Sequence, residues 1–139
     1  MDRKRVILTG VIGADAHTFG TKILTYALKE AGFDAVSLGV LVSQEEFINA
    51  AIETKADAIL ISSLYGMAML DCEGLRDKCE EVGLKHILLY IGGQLTTSGE
   101  KFEEIESKFK QMGFNRVYPP GTSPAIGIAD LKKDLCIKD

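Results

Sequence analysis

Short apolar runs alternate along the chain with longer stretches in which apolar residues return every three or four positions. That is the pattern of a parallel sheet whose strands are joined by crossover helices. The runs predict strands over residues 6–12, 35–38, 58–62, 86–91 and 116–118, each apolar enough to be buried on both faces. Between the first two, Ile23, Leu24, Ala27, Leu28 and Ala31 share a helical face over residues 20–32, and Gly32 is placed to end that helix. Ser43, followed three residues later by Glu46, reads as a capping box opening a helix that runs to about Lys55. Two further helices follow Asp71 and Lys101. A last one starts near Ser123-Pro124, where Ser caps and Pro takes the first turn, with Ile126, Ile128, Leu131 and Leu135 as its apolar face.

Five such units, without linker, repeat or low-complexity tract, predict a single domain over residues 1–139. Right-handed crossovers leave few layouts for them. The expected fold is α/β, a flavodoxin-like (Rossmann-like) doubly wound sandwich with a five-stranded parallel sheet in the order 2-1-3-4-5. In that order the winding of successive strands reverses between strands one and three, so a ligand is expected beyond their carboxyl ends. His17 follows strand one and Ser62 ends strand three. Gly92 to Ser98 follow strand four, and Pro119 to Thr122 follow strand five, so four irregular segments converge on one rim.

Composition changes this picture little. With 139 residues, 46% of them hydrophobic and 26% charged, the chain is long and apolar enough to bury a core without staples. Its net charge of −4, with basic residues scattered along helices, argues against a nucleic-acid partner. The apolar run after Met1-Asp2-Arg3-Lys4-Arg5 is too short for a signal-peptide core, and no run is long enough to span a bilayer. A cytoplasmic protein without a membrane association is expected. Cys72, Cys79 and Cys136 have no metal-ligand spacing and are odd in number, so they read as small buried apolar side chains, Cys72 and Cys79 on one helix face.

The rim carries the candidate chemistry. Asp15-Ala16-His17-Thr18-Phe19-Gly20 leaves the first strand, and an Asp two residues before a His can orient the imidazole while its other nitrogen stays free for a metal. Taken singly, His17 would be a helix-start histidine, Ser62 a small strand-end residue and Gly92-Gly93 a turn. His86, at the predicted start of strand four, has no carboxylate at matching spacing and reads as structural. A phosphate loop is excluded because Gly-x-x-x-x-Gly-Lys-Ser/Thr is missing, and Gly10-x-x-Gly13 lacks the third glycine of a dinucleotide fingerprint. Receiver-domain chemistry would need clustered aspartates where Ser62-Ser63-Leu64 stand. Nucleophilic catalysis would need a Gly-x-Ser-x-Gly elbow, which neither serine occupies.

Asp15-x-His17-x-x-Gly20, Ser62-x-Leu64 and Gly92-Gly93, with 41 and 27 residues between the parts, resemble the three-part pattern of domains that bind cobalamin base-off/His-on. The likeness continues through Gly10 to Gly13, Ser43 to Glu45, Ala50 to Asp57, Ser62 to Gly66, Asp71-Cys72 and Tyr118 to Pro124. Over nearly its whole length the chain is similar to the family of small, cobalamin-binding subunits of glutamate mutase (methylaspartate mutase).

The resemblance implies a role for each part. His17 would replace the dimethylbenzimidazole base as the axial cobalt ligand, and Asp15 would accept a hydrogen bond from its other ring nitrogen. The displaced nucleotide tail would enter a slot where Ser62 bonds the buried base, Leu64 packs nearby, and Gly92 and Gly93 leave room. Ser63 belongs to the same stretch, with packing or backbone satisfaction as its main part. Gln94, Leu95, Thr96, Thr97 and Ser98 would contact the tail or the corrin amides, and Tyr118, Pro119 and Gly121 would line the rim. Thr18 lies inside the motif. Ala14 and Ala16 stand where some relatives carry serine and cysteine, so they would adjoin the cofactor without a side-chain contact.

The cofactor implied is adenosylcobalamin, and the reaction is the carbon-skeleton rearrangement of L-glutamate to threo-3-methyl-L-aspartate, an isomerase activity of glutamate fermentation. No catalytic residue is expected on this chain alone, because His17 and Asp15 only tune the cobalt. A large barrel subunit would bind glutamate, two small and two large subunits forming a heterotetramer. The alternative is a corrinoid carrier for a methyltransferase system; such carriers usually place a helical cap ahead of the domain, whereas here the first strand begins at about residue 5. A cobalamin-responsive regulator would need an output domain as well.

Overall fold

The computed structural model describes residues 4–12, 19–63, 68–93, 95 and 101–137, with 19 and 20 described for their backbone. Five parallel strands are hydrogen-bonded in the order β2-β1-β3-β4-β5, as the apolar pattern predicts. They are β1 (Val6–Val11), β2 (Asp34–Ser37), β3 (Ala58–Ser63), β4 (Leu88–Gly93) and β5 (Arg116–Tyr118). All six residues of β1 are buried, as expected of a central strand covered on both faces.

The connecting helices are α1 (Phe19–Glu30), α2 (Gln44–Thr54), α3 (Ala68–Cys72), α4 (Leu75–Glu81), α5 (Phe102–Gln111) and α6 (Pro124–Asp134). They divide between two apolar layers. Leu28 of α1 and Leu131 of α6 pack with Ile7, Leu60 and Tyr90 on one face of the sheet. Phe47 and Ala51 of α2, Cys72 of α3, Leu75 and Cys79 of α4, and Ile105 and Phe109 of α5 pack with Leu8, Ile59 and Ile91 on the other. Burying side chains of this size contributes roughly 1.5–3 kcal/mol each, which is why the alternating faces hold the sandwich closed.

Local signals end the elements where the sequence places them. Ser43 Oγ accepts from the Glu46 amide at 3.1 Å while Glu46 Oε1 accepts from the Ser43 amide at 3.1 Å, the predicted capping box. Ser123 Oγ accepts from the Ala125 amide at 3.2 Å, with Pro124 in the first turn of α6.

Four details depart from expectation. β4 starts at Leu88 and runs through Gly93, while His86 sits in an exposed turn ahead of it. The single helix expected after Asp71 is two, α3 and α4, parted at Gly74, whose φ of 78° stops one helix before the next begins. Cys72 and Cys79 therefore lie on different helices. Both are buried, but Cys136 is exposed and so is not the small core residue expected. Ile126 is 52% exposed, because the buried face of α6 runs through Gly127 and Leu131.

At the amino-terminal edge of the sheet, Arg76 of α4 fastens three elements. It donates to the carbonyls of Gly113 (3.0 Å) and Ile87 (2.7 Å) and to Asn115 Oδ1 (2.9 Å), an oxygen that also accepts from the Leu89 amide at 2.9 Å. Among the described residues no helix is long and apolar enough to cross a membrane.

Candidate functional site: a slot under two helices

Between the carboxyl ends of β3, β4 and β5 and the helices α1 and α6 lies a cavity of about 310 Å³. Strand alternation builds its floor. Leu60 and Ser62 of β3, Tyr90 and Gly92 of β4, and Tyr118 of β5 turn the same way, toward the α1/α6 layer. Parallel register sets Ser62 opposite Gly92, and Gly92 opposite Tyr118. Thr21 and Leu24 of α1 form one wall, and Gly121 to Pro124 with Gly127 of α6 form the other.

Two glycines give the floor its depth. A Cβ on Gly92 would stand 3.4 Å from the Cβ of Tyr118, so the floor has no room to spare there. Gly93, at φ 105°, turns the chain out of the strand in a conformation that residues with a Cβ rarely adopt.

The back of the floor is anchored to α6 by a polar network. The Tyr90 hydroxyl donates to Asp134 Oδ2 in a short hydrogen bond, and Arg116 holds the same carboxylate through Nε and Nη2, each at 2.8 Å. Tyr118 donates to Asp130 Oδ2 at 2.6 Å, and Arg116 Nη1 lies 3.4 Å from Asp130 Oδ1. The two tyrosine rings meet edge-on at 5.9 Å. Burial pushes both phenols far above the ordinary tyrosine range, and the carboxylates they face add to the shift. Asp134 is held below the usual carboxylate range by the Arg116 guanidinium. On the α1 side, Thr25 donates to the Thr21 carbonyl at 2.7 Å, leaving Thr9 to donate to Thr25 Oγ1, also at 2.7 Å, which ties α1 to β1.

The expected site residues divide between the slot and other places. Ser62, Gly92, Gly93, Tyr118, Pro119 and Gly121 all line the slot. Ser63 and Leu95 do not: each is buried on the α2 to α5 side, Leu95 in the core there and Ser63 facing away from Ser62 by strand alternation. Among the described residues the Ser63 hydroxyl has no hydrogen-bond partner. Ala14, Asp15, Ala16, His17, Thr18, Leu64, Gln94, Thr96, Thr97 and Ser98 lie outside the described residues. Gly20 falls in the first turn of α1. Thr21, Leu24, Tyr90 and Gly127 were not among the residues expected. Tyr90 was within reach, since it stands two residues before Gly92 on one strand face.

Among the described residues lining the slot none carries a charged side chain, and they offer apolar walls, a few hydroxyls and backbone amides. Such a lining suits a flat, largely apolar ring with a few hydrogen-bonding atoms. Fold and slot together define a doubly wound α/β domain with a largely apolar slot at the carboxyl edge of its sheet.

Comparison with known proteins agrees. A sequence model of the B12 binding domain matches residues 5–113. The chain is 57% identical to the glutamate mutase sigma subunit of Clostridium tetani over 99% of its own length and 100% of that protein. Among solved structures it resembles a cobalamin-binding protein from Desulfitobacterium hafniense, with a TM-score of 0.77 at 18% identity, over 95% of this chain and 60% of that one. It also resembles the Methanosarcina barkeri monomethylamine corrinoid protein, with a TM-score of 0.72 at 22% identity, over 94% of this chain and 57% of that one. The chain belongs to the B12-binding domain family and, within it, to the glutamate mutase sigma subunits.

Proposed function

We propose that this chain is the cobalamin-carrying subunit of an adenosylcobalamin-dependent glutamate mutase, folded as a single domain. The observation that carries the reading is the register pair Ser62 and Gly92. Two parts of the three-part pattern, far apart in sequence, come together on the floor of a slot whose lining suits the dimethylbenzimidazole tail. The third part, Asp15 and His17, lies on the segment joining β1 to α1, and α1 supplies one wall of that slot.

Each residue then has a task. His17 would hold the cobalt through one imidazole nitrogen, and Asp15 would accept a hydrogen bond from the N–H of the other, fixing the tautomer. Ser62 donates to the base of the tail, while Gly92 and Gly93 leave the space it fills. Gln94, Thr96, Thr97 and Ser98 offer hydroxyls and an amide to the corrin amides. Bound adenosylcobalamin supplies homolytic cobalt–carbon chemistry. The chain's own part is to hold the cofactor, tune the metal and present it. A large subunit provides the glutamate site, two of each assembling, and the rim that bears His17 faces it.

A methyltransferase carrier is not favoured, since identity is 57% to a mutase sigma subunit and 22% to a corrinoid protein. The test is to mix the chain with adenosylcobalamin, a large mutase subunit and glutamate. Methylaspartate is expected from the complete mixture and from no mixture lacking either subunit. Methyl transfer from a corrinoid donor without methylaspartate would overturn the reading.

A further inference from the structure

Helix α6 carries a glycine, Gly127, where its sequence otherwise suits a helix. Glycine inside a helix is destabilising relative to alanine, so its presence calls for a local cause. Neither common cause applies. Gly127 is not at positive φ, and a Cβ built on it would meet nothing within 4 Å among the described residues. The other glycines with such open space, Gly32, Gly39, Gly74, Gly83 and Gly121, are all at positive φ, whereas a Cβ on Gly10 would come within 2.9 Å of the Phe47 ring and one on Gly113 within 2.5 Å of the Arg76 Cβ. Yet Gly127 is buried and lines the slot, so its missing side chain adjoins neither solvent nor core but the cavity.

We propose that Gly127 is a specificity-determining residue of the slot, its empty side-chain volume kept for the ring of the inserted nucleotide tail. The inference rests on the cobalamin reading above. Helix α6 cannot simply withdraw to make that room. One turn on, Leu131 is fully buried, and Asp130 and Asp134 are tied to Tyr118, Tyr90 and Arg116 on the sheet. A side chain at position 127 therefore narrows the slot instead of moving its wall, and the ligand bears the clash.

The experiment uses the full chain carrying Gly127→Ala or Gly127→Leu. Thermal unfolding without cofactor is measured first, followed by absorbance titrations with cobalamin and with cobinamide, the corrinoid lacking the nucleotide tail. The cofactor-free Ala variant is expected to unfold about 2–4 °C higher than the parent, from helix propensity alone. Cobalamin affinity should fall at least about tenfold in the Leu variant and less in the Ala variant, while cobinamide affinity stays at the parent's value. A folded Leu variant that binds cobalamin as tightly as the parent would overturn the proposal, as would equal losses for both corrinoids. If the Leu variant does not fold, the Ala variant decides by the same comparison. A parent chain that binds cobalamin no better than cobinamide would reject the tail-in-slot reading itself, and the proposal with it.

Discussion

Single groups at the back of the slot make the protein's stability depend on pH in two directions. Asp134, held by Arg116, has its carboxyl pKa depressed in the folded state. Its contribution is present above the ordinary carboxylate range and is lost as pH falls through the lower, folded value. Tyr90 and Tyr118 have raised phenol pKa values. Their contribution is complete below the unfolded phenol value of about 10 and is lost as pH rises beyond it. Asp134→Asn should therefore flatten the acid limb of a stability–pH curve measured by urea unfolding, and Tyr118→Phe the alkaline limb. An unchanged acid limb in Asp134→Asn would show that the Arg116 contact contributes nothing net. Ser63 gives the opposite kind of case. Its buried hydroxyl has no partner among the described residues, so Ser63→Ala should be neutral or stabilise the fold by up to about 1 kcal/mol. A loss of that size would mean that the hydroxyl is bonded after all.

At the scale of elements, Arg76 ties α4 to the segments that enter β4 and β5. Gly113 follows α5 at φ 105°, and a Cβ there would overlap Arg76. Gly113→Ala should lower stability by about 2–4 kcal/mol, through backbone strain together with displacement of the Arg76 clamp. Denaturant midpoints measure this, and a change of a few tenths would show that the clamp yields freely. The elements themselves were legible wherever a local signal and the global pattern agree. The strand order, the Ser43 capping box, the Ser123-Pro124 helix start and the slot residues Ser62, Gly92 and Tyr118 are of that kind. Where the two conflict, the tertiary partner wins. Gly92-Gly93 reads locally as a turn, but pairing with Ser62 and Ser63 carries β4 through both. Ser63 and Leu95 were grouped with the site by their place in sequence, whereas side-chain direction puts them in the opposite layer. Gly127 carries no periodic signal at all, and only the cavity beside it gives its absent side chain a meaning.

At the scale of the whole molecule, the slot lies at the carboxyl edge of the sheet, between β3, β4 and β5 and the helices α1 and α6. On the function proposed above, this chain would hold the cofactor and a large partner subunit would supply the rest of the site. Holding the cofactor this way requires two anchors, the tail in the slot and the imidazole on the metal. The second is the central claim, because it turns an Asp-x-His sequence at the end of β1 into a metal site. It is tested most directly by electron spin resonance of cob(II)alamin bound to the chain with its histidines labelled with nitrogen-15. The axial splitting should change from the pattern of nitrogen-14 to that of nitrogen-15, and the change should disappear in His17→Gly. A splitting that ignores the label would mean that the dimethylbenzimidazole nitrogen, not His17, remains on cobalt.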